Sequence, residues 1–223
     1  MIGIFQTQKE VDASPFQTAY TRPGDVKFAD INGDGKIDDK DRVEAGSPFP
    51  SYSYGFNLGF TWKNFDFSLL AQGVQGNQVY FVYGDIAYDA QARGFNSYEA
   101  ILNRWTPSNT NTNVPRVTLD DRNGNGRSST RFLEDGSYAR IKNITIGYNL
   151  KSLLKWKTIG GCRVYLTIQN AFTWTKYTGL DPEIQANAND TKGLGISSDL
   201  AVGVDWGTVP APRTVIGGIK IDF

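Results

Sequence analysis

The sequence predicts an all-β fold, built of antiparallel strands of the membrane-barrel kind. Three observations predict it. Stretches of nine to eleven residues alternate apolar with polar side chains. Aromatic residues gather at the ends of those stretches. The connections are in turn short and very long. Strands in soluble sheets usually run about five or six residues, whereas a strand tilted across a bilayer needs about 9–11.

Residues 1–51 hold no such stretch and are expected to form an extracellular loop segment. Their most distinctive run is "DINGDGKIDDKD", Asp30 to Asp41, with aspartate at five of twelve positions. Asp30, Asn32 and Asp34 stand at alternate positions, so their oxygens can converge as the backbone curls. Gly35 permits the sharp turn that follows. Lys36 offers its backbone carbonyl, Asp38 a carboxylate or a bridging water, and Asp41 closes the loop. That is the oxygen-donor order of an EF-hand-type calcium loop, with Ile37 as the apolar peg. Asp at the last position, in place of Glu, is similar to the calcium repeats of dockerin modules. Hard oxygen donors point to Ca2+ rather than zinc or copper. The same composition also forms metal-free Asx/Gly turns.

Residues 52–223 are expected to form the strands and their loops. "YSYGFNLGFTW" sets Tyr52, Tyr54, Phe56, Leu58, Phe60 and Trp62 against Ser53, Gly55, Asn57, Gly59 and Thr61. Lys63-Asn64 reads as a tight turn into "FDFSLLAQG", and the two strands as a hairpin. The alternation resumes in "RIKNITIGYNL" (Arg140 to Leu150), "RVYLTIQNAF" (Arg163 to Phe172) and "RTVIGGIKIDF" (Arg213 to Phe223). Tyr52, Tyr54, Trp62, Phe65, Phe172 and Phe223 lie at the heights where interfacial girdles sit. Asn57, Asp66, Gln72, Asn143 and Asn149 fall on the polar face, toward a lumen. Short turns at one end and long loops at the other match outer-membrane barrels. In the first long loop, "SYEAILNRWTP" predicts a short helix capped by Ser97, with Tyr98, Ile101, Leu102 and Trp105 on one face and Pro107 as its stop. Asp121, Asn123, Asn125 and Gly126 repeat the opening of the calcium pattern. Ser128 and Phe132 break it, so this run reads as a turn.

Composition excludes several functions. Twenty-three basic residues balance 23 acidic ones, so no electrostatic case exists for nucleic acid. There is no histidine, which removes the commonest general base and most zinc sites. The single cysteine, Cys162, reads as a small packed residue. Asp181 and Glu183 could in principle serve a glycosidase, but "LDPE" reads as a loop and no enzyme is expected. "MIGIFQTQKEVDASPF" lacks the basic start and apolar core of a signal peptide. Either the protein stays inside the cell or the chain is a piece of something longer, and the extracellular type of the calcium loop favours the piece.

Several runs together resemble the C-terminal part of SusC/RagA-family TonB-linked outer-membrane proteins. They are "GIFQTQKEVDA", "PGDVKFADINGDGKIDDKDR", "YSYGFNLGFTWKNFDFSLLAQGVQGN", "NRWTPSN", "SSTRFLEDGSYARIKNITIGYNL", "QNAFTWTKYTGLDPE" and "PRTVIGGIKIDF". The resemblance implies the C-terminal strands of a barrel of about 22 strands with a plugged lumen. It implies energised import of oligosaccharides or peptides across the cell outer membrane, with a SusD-like surface lipoprotein as lid. Contact with the TonB complex would run through an N-terminal part absent from this sequence. Phe223 is similar to the terminal aromatic that marks a barrel end for the assembly machinery. Five strands are not expected to close a barrel, because their edges would leave backbone groups unpaired in lipid. The alternative is a secreted calcium-dependent β-sandwich module or adhesin, in which a second sheet would cover the aromatic face.

Overall fold

The computed structural model describes residues 1–82, 97–118, 120–150, 160–184 and 202–222. In chain order they form β1 (Gly3–Ile4), α1 (Gln8–Asp12), β2 (Val26–Lys27), β3 (Tyr52–Trp62), β4 (Phe65–Gln75) and β5 (Gln78–Phe81). There follow β6 (Leu133–Asp135), β7 (Tyr138–Asn149), β8 (Gly161–Thr175), β9 (Val204–Asp205) and β10 (Thr214–Asp222). No described helix is long and apolar enough to cross a membrane, which says nothing of strands. The chain divides into two compact units. One comprises Met1–Gly46, Tyr80–Leu133 and Val204–Gly207; the other Ser47–Val79, Glu134–Gly203 and Thr208–Phe223.

The second unit is built on a five-stranded antiparallel meander, in the order β10-β8-β7-β4-β3. Its first register is set by the two-residue turn, which pairs Trp62 with Phe65. Lys63 takes a φ of 55° there, the left-handed value that primed hairpin turns need. The pairing then carries each strand's apolar side onto one face of the sheet. Leu58, Leu69, Ile144, Ile168 and Val215 lie side by side on one face. On the other, Gly59, Ser68, Thr145, Thr167 and Ile216 form the neighbouring rung. Aromatic pairs tighten the apolar face: Phe60 stacks on Phe67 at 5.2 Å, and Tyr148 meets Phe65 edge-on at 4.6 Å.

One irregularity interrupts the ladder. Leu70 pairs with Asn143 and Ala71 with Ile141, so Lys142 is the extra residue of a bulge. Asn170 and Ala171 are skipped opposite it on β8, and Asn170 takes a φ of 50°. Strict alternation would send Lys142 to the apolar face beside Ile144. The bulge turns it to the polar side, where its amine meets Glu183.

The apolar face is bare. Phe56, Phe60, Trp62, Ile146, Leu166, Phe172 and Ile219 are all exposed, Phe60 by 55% and Ile219 by 67%. Among the described residues no core covers them, although such a run of large apolar side chains in a water-soluble sheet would be covered.

The first unit has a conventional small core of Phe5, Val26, Phe132, Phe81, Trp105 and Val114. β1 and β2 form a two-residue antiparallel ribbon, and β5 pairs with β9 in parallel, Tyr80 with Val204 and Phe81 with Asp205. That parallel pair departs from the wholly antiparallel expectation. A second departure is α1, which Thr7 caps by accepting from the Glu10 amide at 3.2 Å.

The helix expected after Ser97 is a correction. Only a 3-10 segment forms, Glu99–Asn103, with Tyr98 at its N-cap and no side-chain cap. Trp105 leaves the stripe for the core, donating its indole N–H to Gln6 at 2.9 Å and its amide to Val114. Leu102 and Tyr98 stay exposed. The segment is too short for a helical face to outweigh the burial of one tryptophan.

Candidate metal loop and polar sheet face

All six residues proposed as calcium ligands lie in one exposed loop. Its shape comes from side chains accepting hydrogen bonds from the loop's own amides. Asp30 accepts from Gly33 and Gly35, each at 2.8 Å, and Asn32 from Asp34 at 3.0 Å. Asp34 accepts from Lys36 at 3.0 Å, and Asp38 from Lys40 at 2.8 Å. Asp41 closes the circuit, taking the amides of Ile31 and Asp38 at 2.8 Å each. Gly35 has a φ of 81°, the left-handed turn for which the sequence reserves glycine. The loop is tied down by its backbone: Phe16 donates to Gly35, and Ile37 donates to Phe16, both at 2.9 Å. The anchor is thus the Ile37 amide rather than a buried Ile37 side chain.

Among the described residues, no three acidic or cysteine side chains converge as a metal-holding group. The carboxylates instead bond the backbone. Each ionised carboxylate has about four acceptor positions, so those two amide bonds leave room for a cation. The donor chemistry fits a hard divalent ion, with Asn32, Asp34 and Asp38 exposed and Asp30 and Asp41 half-buried. The amides of Asp38 and Ile31 hold the Asp41 carboxyl below the usual carboxylate range. It is therefore ionised and ready at neutral pH.

The loop also forms one wall of a cleft of about 480 Å3, with Ile31, Ile37 and Val43 facing Phe28, Tyr80 and Leu133. Arg127 borders it, its guanidinium 4.3 Å over the Phe28 ring. Burial draws that guanidinium's pKa down from the ordinary arginine value.

The imitation loop at Asp121 has a different task. Asp121 accepts from Asn125 at 2.6 Å and from Gly126 at 2.9 Å, which repeats the turn of Asp30. Its asparagines, however, are buried and act as surrogate backbone. Asn125 accepts from the Val26 amide at 2.9 Å, while Asn123 donates to the Val26 carbonyl. Asn125 also donates to Asp25 at 3.0 Å. Asp25, fully buried, is held by Arg116 through two bonds of 2.7 and 3.0 Å. The expected turn is present, and its side chains are committed to the core.

On the polar face, Asn57, Asp66, Gln72, Asn143 and Asn149 share one side of the sheet, as the alternation requires. Asp66 pairs with Arg163 at 2.8 Å, and the pair passes over Gly147. A side chain there would run into the Asp66 carboxylate and the Arg163 guanidinium. A second cluster lies on the same face. Arg140, 4% exposed, donates to Asp181 at 2.6 Å, Glu183 at 2.8 Å and Thr173 at 2.9 Å. Glu183 also accepts from Lys142 at 2.7 Å and from Gln72 at 3.2 Å. "LDPE" is thus no idle loop. Its sequence signals were two basic residues two apart in a strand, Arg140 and Lys142, and the Asp181–Glu183 pair, with nothing local to join them. Cys162 is buried, as a packed residue should be. Phe223 lies outside the described residues.

No family model matches the chain. It is 33% identical over 222 residues to TonB-dependent receptor P3 of Formosa agariphila, an alignment covering 99% of this chain and 21% of that protein. It is 30% identical over 205 residues to TonB-dependent receptor SusC of Bacteroides thetaiotaomicron, covering 91% and 18%. Among solved structures, the RagAB peptide transporter matches with a TM-score of 0.63 at 27% identity, over 80% of this chain and 18% of that one. The RagAB peptide importer in its open-open state matches at 0.59 and 28% identity, again over 80% and 18%. The chain spans about one fifth of the length of the curated relatives it matches.

Proposed function

This chain is a relative of the TonB-dependent receptors of the SusC/RagA group, and on that premise we propose that it forms the C-terminal strands of an outer-membrane importer. Its five long strands are one arc of a barrel of about 22 strands. Their apolar face meets lipid and their polar face lines the lumen. Residues 1–51 belong to the extracellular loops. The whole receptor takes up oligosaccharides or peptides, draws energy from the TonB complex through its N-terminal part, and works with a SusD-like surface lipoprotein. It carries out no covalent chemistry.

One observation carries this reading: a single sheet keeps large apolar side chains bare on one face and a charged, hydroxylated surface on the other. A secreted β-sandwich would need a second layer over Phe56 and Phe60, and both are exposed. Membrane fractionation of cells producing the full-length receptor tests the proposal. The receptor should sediment with the outer membrane and need detergent for extraction. A full-length protein that stays dispersed in plain buffer would sink it.

Asp30, Asn32, Asp34, the Lys36 carbonyl, Asp38 and Asp41 would hold one structural Ca2+, stiffening an extracellular loop. The affinity expected for an extracellular module is on the order of 10⁻⁴–10⁻³ M. Calcium titration of the wild-type receptor against Asp34→Ala should show the variant binding at least ~10-fold more weakly. Equal binding by both would remove the site.

A further inference from the structure

Asp181 serves two segments of the second unit. Its Oδ1 accepts from Arg140 and, at 2.9 Å, from the Glu183 amide. Its Oδ2 accepts from the Ala211 amide at 3.2 Å. The residues that follow β8 and those that precede β10 therefore meet on one carboxylate. A second tie lies beside it, where Asn170 of the bulge donates to the Pro212 carbonyl at 3.0 Å. Both Arg140 and Asp181 are only 4% exposed. A buried charge is tolerated when its partner is in place and strongly disfavoured when it is not. Arg140 supplies that partner and spends its remaining donors on Glu183 and Thr173.

We propose that Arg140 is the positioning residue of a clamp that holds residues 176–184 and 211–212 against the polar face of the sheet as one body. At this end of the sheet the half-buried Glu183, Lys142 and Gln72 then lie together over the strands. The bulge is what makes the clamp possible, since strict alternation would leave Arg140 on the side of Ile144, and the register shift sets it opposite Gln72 on the polar side. For transport, the inference rests on the polar face being a lumen wall: a solute passing there meets the Glu183 carboxylate on a fixed strap, paired with the Lys142 amine of β7. The clamp itself is a statement about two roots and one ion pair, and holds wherever the sheet resides.

Hydrogen exchange on the full-length receptor in detergent tests it, because two of the amides in question donate directly to Asp181. In Arg140→Gln, exchange at Glu183 and Ala211 should quicken together, on the order of tenfold or more. The amides of Ile146 and Leu166, in mid-strand, should not change. Trypsin should also cut sooner after Lys176. Asp181→Ala, which removes the shared acceptor, should loosen the same two sites, and it serves if Arg140→Gln fails to fold. Arg140→Lys should restore part of the protection. Unchanged exchange at both sites in either variant, or loosening of Glu183 with Ala211 untouched, overturns the clamp. If the receptor proves water-soluble, the lumen reading falls, and the same exchange measured in plain buffer still decides the clamp.

Discussion

Replacing Leu58 with arginine places a charge at mid-length of β3, on the apolar face. β3 has 11 residues. At about 3.4 Å per residue and a tilt near 45°, it rises roughly 26 Å, the height of the apolar band in an outer-membrane barrel. Leu58 lies six residues from Tyr52, a separation of about 14 Å in depth by the same arithmetic. An arginine facing lipid at the midplane costs about 2–4 kcal/mol, and one near the interface about 0–1. Leu58→Arg should therefore lower the folded-to-unfolded ratio by roughly 30- to 900-fold. Tyr52→Arg should lower it by less than about 6-fold on the same scale. Asn57→Arg, one residue away on the polar face, should cost next to nothing. The assay is denaturant unfolding of the full-length receptor in lipid vesicles, followed by tryptophan fluorescence. Equal losses at Leu58 and Tyr52, or a loss at Asn57 as large as at Leu58, would refute a depth-dependent solvent. The cost would then follow protein packing, and the membrane argument would fail.

Three further outcomes are expected. Asp25→Ala leaves Arg116 without its carboxylate in the first unit and should destabilise that unit by about 3 kcal/mol, seen as faster limited proteolysis of the segments it comprises. Gly147→Ala pushes the Asp66–Arg163 pair aside. Both partners are about one-third exposed, so thermal melting should register no more than about 1 kcal/mol, and Asp66→Ala should abolish most of the difference. The pH dependence of calcium binding follows from Asp41. Its folded pKa lies below the reference 3.8, so its contribution to loop order is present above that value and is lost as pH falls through the lower folded pKa. Calcium titrations should be flat from pH 7 to about 5 and weaken only below about 4. A midpoint near neutrality would contradict that order.

The hairpin, the length of its strands and the faces of the sheet were legible because period-two alternation is a local property. β3 runs over the residues that alternate, and the two-residue turn falls at Lys63-Asn64. The bulge was not legible. "RIKNI" offers no sign of which residue is surplus, and only the partner strands decide it. The parts of the Arg140 cluster were legible but not their meeting, since its acids stand 41 and 43 residues downstream in a run that reads as a turn. The calcium pattern was legible as a string, yet the same opening at Asp121 builds a core network. What separates them is burial. Asn123 and Asn125 find the backbone of Val26 nearly a hundred residues away, whereas Asn32 and Asp34 face solvent. The helix after Ser97 failed because tertiary packing of Trp105 overrode a stripe of modest length.

β3 and β10 each bond a single neighbour among the described residues, so the sheet carries two raw seams. A seam of this kind is a row of donors and acceptors at regular spacing, ready to take any strand of matching pitch. Made apart from the rest of a wall, the polypeptide would therefore offer its own copies the nearest match. It would zip into ribbons whose growth rises with concentration, with greasy flanks sticking ribbon to ribbon.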